Sequence, residues 1–266
     1  MTDPLLVERT DHVETWTIDL PDQRNPISGS EMIEAFESNA RRIRQDLAVR
    51  CVVLTGAGKA FSAGGNVTDM REKHGMFSGN PWQLRNGYRD GIQRIPMALA
   101  ECEVPLVAAI NGPAVGAGCD LAMMCDLRVA SANAWFAESF VQLGIIPGDG
   151  GAWFLTHAVG PQRAAEMALT GDRVDAATAL EWGMVARVVE PEHLLDEARA
   201  LAARIAKNPP HATRMAKRLL RESRTAGLRE VLELSATMQA VAHHTDDHAE
   251  AMDAIREKRS GNFEGR

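Results

Sequence analysis

Aromatic residues make up only 5% of this 266-residue chain, with a single tyrosine among them. That is too few for the stacking platforms that hold single-stranded nucleic acid. Basic residues are in the minority too: 29 Lys and Arg stand against 36 Asp and Glu, for a formal net charge of −7. The cationic footprint of a phosphate-backbone binder is therefore missing. Four cysteines, Cys51, Cys102, Cys119 and Cys125, form no CxxC pair and lie mostly in apolar stretches. This pattern predicts reduced core thiols instead of zinc ligands or disulfides. No apolar run reaches the ~18 residues that a membrane span needs. The opening MTDPLLVERTD has none of the basic and then apolar character of a secretion signal. Together these absences predict a globular, cytoplasmic protein with neither nucleic acid nor membrane as partner. Apolar residues are plentiful, at 45%, enough for a large core without disulfides or metals. At roughly 150 residues per domain, the length allows one large domain or one domain with an appendage.

Periodicity gives an α/β order. VETWTIDL (13–20) alternates as a half-buried strand does. After the turn PDQRNP, Ser28 is expected to open a helix, with Glu31 completing a capping box and Met32, Phe36, Ile43 and Leu47 at helical spacing. CVVLTGAG (51–58) is a continuous apolar run ending in glycine, the mark of a strand buried on both faces. Strand, helix and buried strand form a crossover unit. Residues 69–102 are polar and mixed, predicting short helices and loops that border a site. VPLVAAI (104–110) reads as a second buried strand, followed by NGPAVGAG and a helical CDLAMMCD. LRVASANAWFAE returns to strand character, and VQLGIIPGDGG is rich in glycine. From Gly151 the chain reads as mainly helical, with a short strand in MVARVVE and a long helix from about His193 to Lys207. Asn208-Pro209-Pro210 breaks that helix. The division expected is a core over 1–207 and a C-terminal helical region over 208–266.

Two buried strands thus end in glycine-rich turns, LTGAGKAFSAGGNV (54–67) and AINGPAVGAGCDLA (109–122). Tight turns of an α/β fold are the simplest reading. A dinucleotide fingerprint would need a third glycine where Phe61 or Leu121 stands, and no GK[ST] follows to make a phosphate loop. NAD and ATP are therefore not expected as cofactors. Side by side, two such turns can also form an oxyanion hole from backbone N–H groups at a helix start.

Three stretches carry a resemblance: AFSAGGNVTDM (60–70), VPLVAAINGPAVGAGCDLAMMCDLRVAS (104–131) and LGIIPGDGGAWFLTHAVG (143–160). In this order they resemble the crotonase superfamily, the enoyl-CoA hydratase/isomerase proteins, nearly to the tail EKRSGNFEGR. The resemblance implies a spiral of ββα crossover units with a C-terminal helical region that serves oligomerisation, as a homotrimer or a dimer of trimers. It implies an acyl-CoA thioester substrate, with coenzyme A as part of the substrate and no separate cofactor. The reaction stays open, because the superfamily hydrates, isomerises, hydrolyses, dehalogenates and cleaves C–C bonds.

Carried over residue by residue, the resemblance places the two oxyanion donors on the N–H groups of Gly65 and Ala117. Ala63, Gly65 and Val67 would line the nucleotide end, and Asn66 stands where the family usually has aspartate. The two glutamates of the hydratases fall on Asp120 and on Phe140, which carries no proton and can only line the acyl site. Glu138 and Asp149 are the nearby substitutes. Asp120 reads as an acid–base group ahead of a mere helix-dipole residue. Glu138 reads either as a second catalytic carboxylate or as a surface ion-pair member, and Asp149 reads first as the N-cap of a helix near Gly151. Asp126 is expected to serve structure. Trp82 and Tyr88 either line the acyl pocket or pack against it. The eight histidines form no triad motif, HHTDDH (243–248) reads as a solvated face, and Lys258 and Arg259 as surface charge. Alternatives are a dienoyl isomerase, an acyl-CoA hydrolase, a C–C lyase or a non-catalytic acyl-CoA binder.

Overall fold

The computed structural model describes residues 3–266. Its first hairpin joins β1 (Leu5–Thr10) to β2 (Val13–Ile18), antiparallel in the register Leu5↔Ile18 to Thr10↔Val13. Asp11 makes the turn with φ 52°, a left-handed conformation that Asp tolerates better than most residues. β3 (Cys51–Gly56), β4 (Leu106–Ile110), β6 (Leu127–Ser131) and β9 (Arg187–Val189) then add in parallel, giving the order β1-β2-β3-β4-β6-β9. A smaller sheet joins β5 (Ala114–Val115), β7 (Trp135–Ala137) and β8 (Val174–Asp175).

Every residue of β3 and β4 is buried, as their unbroken apolar runs require when helices cover both faces. Successive side chains point to opposite faces and so sort into two cores. Val52, Leu54, Leu106, Ala108 and Ile110 face the main core with Phe36, Ile95 and Leu121. Cys51, Val53, Val107 and Ala109 face Leu194, Ala198 and Ala202 of the helix Leu194–Ala206. The cysteines are all free and buried. β2 departs from the half-buried expectation: Glu14, Thr15 and Trp16 are all buried, because Glu14 is held by Arg42 and by the Trp16 indole N–H.

The helix after this hairpin runs Ser30–Gln45 with Gly29 as N-cap and no side-chain cap. The expected capping box of Ser28 and Glu31 is thus absent. Ser28 Oγ instead accepts the Asn66 N–H at 3.0 Å, serving the first glycine turn in place of its own helix. Residues 69–102 hold short helices, Val67–Glu72, Pro81–Asp90 and Arg94–Glu101. The chain closes with three helices, Pro210–Glu222, Leu228–Ala242 and Asp246–Glu257. Among the described residues, no helix is long and apolar enough to cross a membrane.

Candidate active site

The parallel strands deliver both glycine turns to one end of the large sheet. Asn25 holds the first turn, its Nδ2 donating to Ala57 O and Ala60 O at 2.8 Å each. Ser62 Oγ accepts the Gly64 N–H at 3.0 Å, and Gly64 O accepts from Ile27 N at 2.8 Å. The second turn abuts the first so closely that a Cβ on Gly64 would sit 2.8 Å from Ala117 N. Only glycine permits that approach. Among the described residues, neither Gly65 N–H nor Ala117 N–H has an acceptor. Two unused donors therefore stand on adjoining turns. Ala117 begins the helix Ala117–Met124, whose dipole adds positive potential there.

Asp120 lies three residues beyond Ala117 on the same helix, hence on the same side of it. Glu138 follows β7, and Asp149 precedes the helix Gly151–Val159. All three side chains are buried. Asp120 is within hydrogen-bonding reach of both Glu138 and Asp149. Among the described residues, no N–H or O–H donor reaches either oxygen of Asp120 or Glu138, or Oδ1 of Asp149. A carboxyl–carboxyl contact is a hydrogen bond only when one member is protonated, so this arrangement favours a proton held within the cluster. Burial, then the negative charges of Glu138 and Asp149, push Asp120 well above the usual carboxylate range. Burial raises Glu138 to about 7, while its contacts with Asp120 and Cys119 pull the other way. Burial also raises Asp149, opposed by its contact with Asp120. All three directions favour the protonated form, most strongly at Asp120. The N-cap expected of Asp149 is not found: Gly150 is the N-cap of Gly151–Val159, and no side chain caps it. A Cβ on Gly151 would overlap the Asp120 carboxylate, so that helix start is packed against the cluster.

Phe140 is buried with its ring over Gly116, 3.5 Å from where a Cβ there would lie. It forms an apolar wall beside Ala117. Ala63 and Gly65 are half-buried, and Val67 is exposed at the start of its helix, which Asn66 caps through Thr68 N and Asp69 N. Trp82 points outward, 66% exposed, with the Arg85 guanidinium 5.3 Å from its ring centre. Tyr88 is the aromatic that reaches inward. Its ring packs on Gly148 and edge-on to Phe77 at 6.2 Å, and burial with the charge of Asp149 raises its phenol. Sequence reasoning missed Met70, whose terminal methyl fills the space beside Gly65 with Phe77 behind it. The only available signal was an apolar pair seven residues apart in a polar stretch. Asp126 serves structure as expected, accepting Leu106 N–H and pairing with Lys217, both at 2.7 Å. Arg259 pairs with Glu250 and Glu257 at the surface. No group of His, Cys, Asp and Glu among the described residues could hold a metal ion.

The sequence profile of the enoyl-CoA hydratase/isomerase family matches residues 8–266. The chain belongs to that family. A probable enoyl-CoA hydratase of Mycobacterium bovis is 34% identical, over 97% of each chain. The 1,2-epoxyphenylacetyl-CoA isomerase of Escherichia coli is 33% identical over 96% of this chain and 97% of its own. Among solved structures, the enoyl-CoA hydratase of Bacillus anthracis superposes with a TM-score of 0.92 at 30% identity, covering 99% of this chain and 100% of that one. The fold is thus the crotonase fold, and the protein is an acyl-CoA enzyme of the enoyl-CoA hydratase/isomerase family. Membership in an enzymatic family sets aside the reading as a non-catalytic acyl-CoA binder.

Proposed function

We propose that the protein acts on a 2-enoyl-CoA thioester, holding the thioester oxygen between the N–H groups of Gly65 and Ala117. The observation that carries this reading is the pair of unused donors beside a buried carboxyl cluster. A thioester oxygen there would gain negative charge as the enolate forms, and each donor contributes roughly 3 kcal/mol to such a transition state. Met70, whose methyl lies beside Gly65, can shift as the thioester enters, a movement that an unbranched thioether allows. Asp120 then delivers its proton to the α-carbon while Glu138 takes one, from the attacking water in a hydration or from the carbon that loses it in a shift without water, so that the cluster ends with the one proton it began with. Asp149 shares the charge left on the cluster. Ala63, Gly65 and Val67 receive the nucleotide end of coenzyme A, which enters as substrate, and no further cofactor takes part.

Hydration is the first reading, because Asp120 and Glu138 supply an acid and a base even though Phe140 stands where the second glutamate of the hydratases falls. The apolar wall that Phe140 makes beside Ala117 favours one second reading, a proton shift between carbons without added water. Asp120→Asn separates catalysis from binding: turnover falls while the affinity for coenzyme A holds. Unchanged turnover would remove Asp120 from the mechanism. For the assembly, residues 208–266 act as the oligomerisation region of a homotrimer or a dimer of trimers. The helix Leu228–Ala242 supports this, since it buries none of its side chains within the chain and leaves Leu228 and Leu232 in the open. Sedimentation at a monomer mass would contradict it.

A further inference from the structure

The two glycine turns stand where β2, β3 and β4 end. A cavity of about 740 Å³ lies at the opposite end of the sheet, where β2 and β3 begin. Asp11, His12, Arg50, Arg199, Lys207 and Phe263 are among its walls. Among the described residues, no carboxylate forms an ion pair with Arg50, Arg199 or Lys207. Among the described residues, Asp11 is the only acid in the lining. In a chain of net charge −7, three cations facing one acid across a cavity is an inverted balance. It costs self-repulsion that a solvated surface would relieve by spreading the charges apart.

The cations are also positioned. Arg50 is tied to the backbone by donating to Ala206 O at 3.2 Å and to Phe263 O, and its buried Nε has no partner among the described residues. Among the described residues, Arg199 reaches only the Thr15 hydroxyl, at 3.3 and 3.4 Å, weak contacts that leave most of its donors unspent. The tail that carries Phe263 is fastened beside them, with the carboxylate of Asp247 accepting Glu264 N at 2.8 Å and Gly265 N at 3.0 Å. A guanidinium fork with free donors suits planar or tetrahedral oxyanions. The volume is that of a small-molecule site, well beyond the space a single water or chloride ion needs.

We propose that this cavity binds a phosphate-bearing small molecule, through Arg50, Arg199 and Lys207, at a site separate from the acyl-CoA site. The phosphates could belong to a free polyphosphate or to a nucleotide, and the test separates them. Protein saturated with coenzyme A, so that the substrate site is filled, is titrated calorimetrically with pyrophosphate, ADP and inorganic phosphate. Pyrophosphate and ADP are expected to bind, each weakened about tenfold by Arg199→Gln and by Lys207→Gln, and about a hundredfold by both together. Lys207 is exposed, so its variant tests the site even if Arg199→Gln disturbs packing against Thr15. Turnover and melting temperature of Lys207→Gln should match the parent. Tighter binding of ADP than of pyrophosphate would assign the site to nucleotides; equal binding would assign it to the polyphosphate group. Absence of binding up to about 10 mM, or affinities that survive the double substitution, would overturn the proposal.

Discussion

Asp247 and Asp120 are both buried aspartates, yet their surroundings are opposite. Asp247 spends both oxygens on backbone N–H groups of the tail, and its own N–H donates to Arg266 O at 3.1 Å. Among the described residues, Asp120 has no N–H or O–H donor, and it faces two further carboxyls. Glu14 sides with Asp247, held by Arg42 at 2.9 and 2.7 Å and by Trp16 at 2.9 Å. A buried carboxylate that is fully satisfied holds the fold together; one left unsatisfied costs stability, and chemistry is one reason for such a cost to persist. By this contrast, the cluster at Asp120 is the one we propose for the reaction, whereas Asp247 and Glu14 belong to the architecture.

The largest effect expected is on catalysis. Asp120→Asn keeps the shape and removes the proton exchange, so turnover should drop about 10²- to 10⁴-fold while coenzyme A affinity, read by calorimetry, changes little. The opposite pattern would move Asp120 into the architectural group. Gly151→Ala should mimic it more mildly, by about a hundredfold, because the added methyl displaces the Asp120 carboxylate. Activity equal to the parent would mean that the position of Asp120 does not matter.

Stability should respond in the reverse direction. The folded state raises Glu138 from 4.5 to about 7, so it binds a proton that the unfolded chain has already lost between those values. The associated stability is present below about pH 4.5 and fades as pH rises through about 7. Glu138→Gln removes that loss and should raise stability by on the order of 2 kcal/mol at pH 8, with no gain near pH 4. Thermal melts at both values check the sign. The same residue, as base, should give an activity profile whose acidic limb lies near pH 7 and disappears in Glu138→Gln. Asp247→Ala should do the opposite to the fold, costing about 1–2 kcal/mol at either pH and exposing the tail to proteolysis without lowering the turnover of intact protein. A stabilising Asp247→Ala would dissolve the comparison.

Much of this was legible in the sequence, for local reasons. The runs 51–58 and 104–110 are buried strands because uninterrupted apolar residues fit only a doubly covered sheet, and the turns follow from their glycines. The placement of Gly65, Ala117 and Asp120 at one end came with those motifs. Asp149 was misread because N-capping is a local pattern, whereas Asp149 is buried against Asp120, about thirty residues earlier in the chain. Ser28 was misread for the same reason, its oxygen being drawn to Asn66 across the fold. The packing of Met70 against Gly65 and of Tyr88 against Gly148 depends on how 69–102 folds back over the turns, which no periodicity in that polar stretch encodes. Trp82, the larger and more conspicuous aromatic, faces outward.

The most direct test follows the mass of the substrate. A panel of 2-enoyl-CoA thioesters incubated with the enzyme in heavy water should gain one water, or take up deuterium at the α-carbon, and Asp120→Asn should suppress either change. Thioesters returned unchanged across short, branched and aromatic acyl groups, or a change that persists undiminished in Asp120→Asn, would contradict the claim that this carboxyl cluster moves protons at the thioester.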